Sequence, residues 1–280
     1  MNESTSGSPR VLMAGESWTT QSLHIKGFDS FTTSTYMEGG TALIAALRSG
    51  GVDVTYQPCH VAANGFPDTR EALSAFNVVI LSDIGANTLL LRDSTFMRSE
   101  LTSNRLELLR TFVQAGGGLL MIGGYLTFQG IEGKAAYHGT PVEDVLPVVL
   151  SAHDDRRECP QGVVPETVDA SHPIAHGLTN WPAMLGYNRA SLRADAQLVA
   201  TIGGDPLIAV RKVEAGRTAV FSSDCSAHWG PPAFVSWASY PTLWLNLVRW
   251  LAKAKGRKCR TRVQRKQRRS CTSCDVIRHD

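Results

Sequence analysis

Apolar and polar positions alternate along this chain with two periods, and the switches between them mark its elements. Residues 10–14 form a short apolar run closed by Gly15. Residues 39–47 then set Leu43, Ile44 and Leu47 on one helical face before Gly50-Gly51 stops it. Residues 52–56 alternate as a strand, and 67–76 open with a helix-permitting proline and an acidic first turn. Residues 78–81 are an apolar strand ending at Ser82-Asp83. Residues 101–113 repeat the helical spacing with Leu106, Leu109, Phe112 and Val113; glycines 116–118 end it, and 119–122 are the next strand. Strands alternating with helices imply an α/β fold with a mainly parallel sheet and helices on both faces.

After residue 138 the rhythm changes. Residues 145–150, 162–168, 184–192 and 197–202 are short strand-like pieces broken by Pro, Gly and Asp, which predict an added β-rich segment. Residues 206–213 and 217–223 flank Glu214-Ala215-Gly216, a hairpin signal in which Gly216 is expected to take a positive φ. The last periodic segment begins at Pro241 and turns Leu243, Leu247, Trp250 and Leu251 inward.

Composition divides the chain further. A length of 280 residues with 43% hydrophobic content is enough for a sizeable core. The net charge of +3 conceals a split: residues 253–280 hold 11 Lys/Arg and 2 Asp, leaving 17 basic and 23 acidic residues before them. The expected organisation is a disordered N-terminus over residues 1–9, one domain over 10–252, and a basic, disordered tail over 253–280. The tail is read as a solvated appendage and not as a nucleic-acid arm, because no aromatic residues alternate with its charges to stack on bases. Residues 1–9 lack the apolar stretch of a signal peptide, and no run reaches membrane-spanning length, so the expected location is cytoplasmic with no membrane partner. Cys59, Cys159 and Cys225 are scattered and expected to be free thiols. Cys271-Thr-Ser-Cys274 has no second pair at zinc spacing, so neither a metal nor a cofactor is expected.

The chemistry is sought just after the strands, because open parallel sheets bind ligands beyond their carboxyl ends. Residues 116–130, GGGLLMIGGYLTFQG, read as a buried strand entering a glycine-rich turn, with Tyr125 where an elbow would carry its nucleophile. An elbow also offers backbone N–H groups at the following helix to an anion. Glu16, Asp83, Gly85, Tyr125, Gln129, Asp224, Cys225, His228 and Trp229 fall at such positions and are expected to line one cleft. His228 is the candidate base, with Asp224 or Glu16 to orient it; Cys225, three residues earlier, is the candidate nucleophile of a Cys–His pair. Asp83, Gly85, Tyr125, Gln129 and Trp229 are the candidate ligand-binding residues, although a carboxylate such as Asp83 also caps helices. His24, Lys26 and Asp29 lie in a Ser/Thr-rich connection read as a loop above the cleft, and His172 and His176 are read as structural.

Five segments in order carry a resemblance: Ala14-Gly-Glu-Ser-Trp18, His24-Ile-Lys-Gly-Phe-Asp29, Leu81-Ser-Asp-Ile-Gly-Ala-Asn-Thr88, Gly123-Gly-Tyr-Leu-Thr-Phe-Gln-Gly130 and Ser223-Asp-Cys-Ser-Ala-His-Trp229. Over about residues 10–252 the chain resembles the putative glutamine amidotransferase family. That family is a branch of the class I glutamine amidotransferase-like superfamily, related to trehalose-utilisation-type proteins. The resemblance implies a flavodoxin-like fold. Active members of the superfamily carry Cys at the elbow and a later His-x-Glu pair. Here Tyr125 holds the elbow, and His228-Trp-Gly230 supplies the His without the Glu. Both departures argue against glutamine hydrolysis through a thioester.

The expected function is therefore binding of, or action on, a small polar metabolite. One alternative is a hydrolase or amidotransferase that uses Cys225 and His228. Another is a non-enzymatic, homo-oligomeric interaction protein whose exposed aromatic segment, residues 229–237, contacts a partner.

Overall fold

The computed structural model describes residues 7–226 and 228–252. The first half runs β1 (Arg10–Gly15), β2 (Ser17–Lys26), β3 (Asp29–Glu38), α1 (Thr41–Ser49), β4 (Asp53–Gln57), α2 (Cys59–Gly65) and α3 (Arg70–Ser74). It continues with β5 (Val78–Ser82), α4 (Ala86–Leu90), α5 (Asp93–Arg98), α6 (Arg105–Gln114) and β6 (Gly118–Ile122). The second half runs α7 (Pro141–Val145), β7 (Val148–Leu150), β8 (Arg156–Val163), β9 (Glu166–Thr167), β10 (Met184–Asn188), β11 (Ala190–Leu192) and β12 (Gln197–Ile202). It closes with β13 (Asp205–Val213), β14 (Gly216–Phe221), α8 (Pro232–Val235) and α9 (Tyr240–Ala252).

Eight strands form one sheet in the order β4-β1-β5-β6-β14-β13-β12-β9. The β4 to β14 neighbours pair in parallel, and β13, β12 and β9 extend the sheet antiparallel. Strict alternation along the central strands buries both faces. Val11, Met13, Val78, Ile80, Leu120 and Ile122 join α1 and α9 on one side, while Leu12, Ala14, Val79, Leu81, Leu119 and Met121 face α2, α3, α4, α6 and α7 on the other. Each of these side chains is fully buried, and burying a Leu, Ile or Val contributes about 1.5–3 kcal/mol. The α/β expectation and the β-rich addition therefore hold. The addition comprises the antiparallel end of the sheet and the small pairs β8/β10 and β7/β11.

Three local expectations are corrected. Ser17 to Glu38 is no loop but a hairpin of two ten-residue strands in continuous register, turned by Gly27 (φ 66°) and Phe28. Its Ser/Thr-rich strands lack a buried face, so the two-residue alternation of a packed strand is missing from the sequence. At the β13–β14 turn the positive φ belongs to Glu214 (51°); Gly216 is required instead because a Cβ there would lie 1.9 Å from the Val113 carbonyl oxygen. The aromatic side chains of 229–237 are not an exposed patch: Trp229 and Phe234 are buried, and half-buried Trp237 packs on Trp181 and donates to the Thr179 carbonyl. The tail 253–280 and residues 1–6 lie outside the described residues.

Candidate functional site

β1, β5 and β14 end on one edge of the sheet, and the residues that follow them take an uncommon backbone. Glu16 (φ 50°), Asp83 (φ 44°) and His228 (φ 80°) are non-glycine residues in left-handed conformations. Such strain costs on the order of 1–3 kcal/mol per residue and gathers where surrounding structure holds a site in place. Gly15 allows the tightest approach. A Cβ there would lie 1.9 Å from the Ser82 carbonyl oxygen, the same oxygen that accepts from the Glu16 N–H at 2.6 Å.

Beneath this edge lies a buried acidic cluster. Glu16 is fully buried; one carboxylate oxygen accepts from Ser82 Oγ (2.5 Å) and the other from Ser226 Oγ (3.1 Å). Asp224, also fully buried, accepts from the Ser226 N–H through Oδ1, while Oδ2 has no hydrogen-bond donor among the described residues and lies 3.7 Å from His228 Nδ1. Asp83 accepts from the Leu126 N–H at 2.6 Å and does not cap α4, whose N-cap is Gly85. Burial, then the charges of Asp224 and Asp83, push the Glu16 carboxyl well above its ordinary value. Burial, then Asp83, do the same to Asp224, and burial raises Asp83. Glu16, Asp224 and Cys225 have donor atoms within 4.8 Å of one another, close enough to share a cation, but both Glu16 oxygens already hold serine hydroxyls.

Aromatic rings cover the acids. The His228 imidazole stacks on Tyr125 (centroids 5.1 Å, planes 15° apart) and meets Trp18, at the root of the β2–β3 hairpin, at 5.1 Å. The Arg156 guanidinium lies 5.2 Å from the centre of the Tyr125 ring, and Trp229 meets that ring edge-on. Trp229 donates to Glu158 Oε2 at 3.0 Å. Burial, then Glu158, hold the Tyr125 phenol protonated above its ordinary range.

The glycine-rich turn does not offer the anion hole that an elbow implies. No α-helix follows it directly, and four of its N–H groups are already used. Gly124 donates to Asn188 Oδ1, Leu126 to Asp83, and Gln129 and Gly130 to the two oxygens of Asp155. Asp155 is buried and also accepts from Asn188 Nδ2 at 2.8 Å. Two carboxylates from the chain itself, Asp83 and Asp155, thus hold three of the N–H groups that could face an oxyanion, including the one that follows Tyr125. The positive φ values of the turn fall on Gly124 (153°), Phe128 (55°) and Gly130 (71°), not on Tyr125.

Of the sequence candidates, the fold gathers Glu16, Asp83, Asp224, Cys225, Tyr125, His228 and Trp229. Gly85 stands apart, buried against the backbone of Lys134 and Ala135, and Gln129 accepts from the His138 N–H in the following loop. His24, Lys26 and Asp29 lie at the far end of the hairpin, with His24 stacked on Phe31. Cys225 is fully buried, and burial followed by Glu16 and Asp224 pushes its thiol well above the ordinary value. Trp18, Ser82 and Ser226 lie in the strand-end segments that the sequence marked but were given no role there, and Asp155, Arg156, Glu158 and Asn188 were missed. Of these four, Asp155 and Arg156 belong to a charged run, Asp154-Asp155-Arg156, at the start of β8. Cys59, at the start of α2, also lies near the acids, its thiol 3.6 Å from the Asp83 carbonyl oxygen and raised by burial.

An open, mainly parallel sheet with a glycine-rich turn after a central strand and polar groups at the strand ends defines an amidotransferase-like α/β protein. The chain belongs to the family described as putative glutamine amidotransferase, which it matches over residues 10–253. It is 47% identical to cytoplasmic protein STM3548 of Salmonella typhimurium (TM-score 0.84), covering 86% of this chain and 98% of that one. It is 44% identical to cytoplasmic protein STM1381 of Salmonella typhimurium LT2 (TM-score 0.84), covering 86% and 99%. A putative ThuA-like protein from Bacteroides uniformis shares the fold at 13% identity (TM-score 0.53), covering 90% of this chain and 94% of that one. No curated protein matches the chain. Among the described residues, no helix is long and apolar enough to cross a membrane.

Proposed function

We propose that this chain uses an amidotransferase-like fold to hold a small polar metabolite at the strand ends, and that it does not hydrolyse glutamine through a thioester. The observation that carries this reading is Tyr125. Its ring is stacked on His228 with Arg156 over it, and its phenol is held protonated, while the N–H that follows it in the turn, Leu126, is already bonded to Asp83. Cys225 is no substitute nucleophile, because its buried thiol stays protonated beside two carboxyls. The site offers an acceptor: Asp224 Oδ2 lacks a donor among the described residues, beside the Asp83 and Glu16 carboxyls. A ligand carrying ammonium or several hydroxyl groups matches that chemistry better than a carboxylate or phosphate. If a proton moves in this site, His228 is the group to carry it and Asp224 the one to orient it. The names of the two Salmonella relatives support a cytoplasmic setting.

The test is a calorimetric screen of small amines, amino sugars and polyols against acidic metabolites, with wild type, Asp83→Asn and His228→Ala, alongside ammonia release from glutamine. Binding of a donor-rich ligand that weakens in both variants, without ammonia release, is the expected result. Ammonia release by wild type that is lost in Cys225→Ser overturns the proposal.

A further inference from the structure

The β2–β3 hairpin has no visible reason to be stable in the isolated chain. Every residue from Thr19 to Glu38 is exposed, and the two strands pair only with each other. A lone two-stranded hairpin is marginal in water, and at about 3.4 Å per residue this one extends roughly 30 Å. Its apolar residues increase outward: Leu23, Ile25, Phe28 and Phe31 are all exposed, and Leu23 and Ile25 are 65% and 70% so.

The arm does not stand alone. At its base Tyr36 meets His60 of α2 edge-on, and at the other end of α2 Asn64 bonds Asp93 at the start of α5, a helix without a buried residue. The arm, α2 and residues 91–101 thus form one flank. Of the sixteen exposed large hydrophobic residues among the described residues, six are on the arm, one is on α2 and four lie in 91–101. These eleven expose on the order of 1,000 Å², above the roughly 800 Å² per partner of a standard interface.

The arm's charges indicate the occupant. Along β2 the only charged residue is Lys26, and along β3 the only ones are Asp29 and Glu38. Antiparallel pairing of β3 with its own copy about a two-fold axis would set Asp29 against Glu38, like against like. The same pairing of β2 sets Lys26 against Ser17 and leaves the strand between free of charge. Natural edges that must stay single carry lysine, proline or a bulge, and the β2 edge from Trp18 to Ile25 has none of these.

We propose that the hairpin is a dimerisation arm. Two copies of this chain pair their β2 edges about a two-fold axis, making a four-stranded sheet and burying the apolar flank between them. This inference does not rest on the metabolite-binding proposal. The two meet at Trp18, which roots the arm and packs on His228, so dimerisation fixes a wall of the candidate site.

Sedimentation velocity of the full chain over a concentration series tests it, together with the double variant Leu23→Asp/Ile25→Asp and the control Val164→Asp. Val164 is exposed and lies outside the flank. The expected result is a wild-type dimer and an unchanged control, with the dimer dissociation constant of the arm variant raised roughly thirtyfold or more. Amide exchange should also show Gln21 to Ile25 protected in wild type and fast in the arm variant, with unchanged circular dichroism. A wild type that stays monomeric throughout the series overturns the proposal. So does an oligomer that the arm variant leaves intact.

Discussion

Tyr125 and His228 stack nearly parallel, their ring centroids 5.1 Å apart, so the side chain at the elbow position packs on the candidate base. Restoring a cysteine there should not restore glutaminase activity. The Gly124, Leu126, Gln129 and Gly130 N–H groups are taken by Asn188, Asp83 and Asp155, and losing one oxyanion donor costs about 10²–10³ in rate. Tyr125→Cys is expected to release no ammonia from glutamine above the wild-type background. Turnover in that variant would show that the turn rearranges to free its donors.

Cys225 should be inert in the folded chain. Its sulfur is buried and lies 3.8 Å from Ser82 Oγ, beside carboxyls that oppose thiolate formation. Peptide mapping after brief alkylation should find the Cys225 peptide unmodified under native conditions and fully modified in denaturant. Half-buried Cys59 should react at an intermediate rate. Fast native labelling of Cys225 would reinstate it as a candidate nucleophile.

Asp155 organises the glycine-rich turn. Asp155→Ala would remove the acceptor of the Gln129 and Gly130 N–H groups and of Asn188, leaving buried donors unpaired. The expected loss is on the order of 3 kcal/mol in urea unfolding, with Asp155→Asn in between. A loss under about 0.5 kcal/mol, the scale of an ordinary surface substitution, would mean that the turn does not depend on this carboxylate.

The sheet was legible because its central strands are buried on both faces and so read as continuous apolar runs such as Val78–Ser82. Glu16 and Asp83 were legible because they directly follow strands, and His228 because it lies in the loop that leaves β14. The arm was not, since a strand without a buried face carries no hydrophobic period. Asp155 and Asn188 were not either, because each reaches the turn only through tertiary contacts, from 25 and 64 residues away in sequence. Gln129 and Gly85 were placed in the cleft from position alone, which says where the backbone passes but not where a side chain finds its partner.

Stability should depend on pH through the buried acids, and the sign follows from the direction of their shifts. Glu16 and Asp224 have carboxyls raised well above their ordinary values of 4.5 and 3.8, so the folded chain binds these protons more tightly than the unfolded one. Their contribution is most favourable below about pH 4, where both states are protonated, and is lost as pH rises from there through the raised folded values. Glu16→Gln keeps the shape and removes the titration. Relative to wild type it should therefore be close to neutral near pH 4.5 and increasingly stabilising towards pH 7, by at most about 1.4 kcal/mol per pH unit. Urea titrations of both proteins at pH 5, 6 and 7 measure that difference directly. A gap that stays constant across the three values would mean that Glu16 keeps its charge in the fold and that burial does not raise its carboxyl.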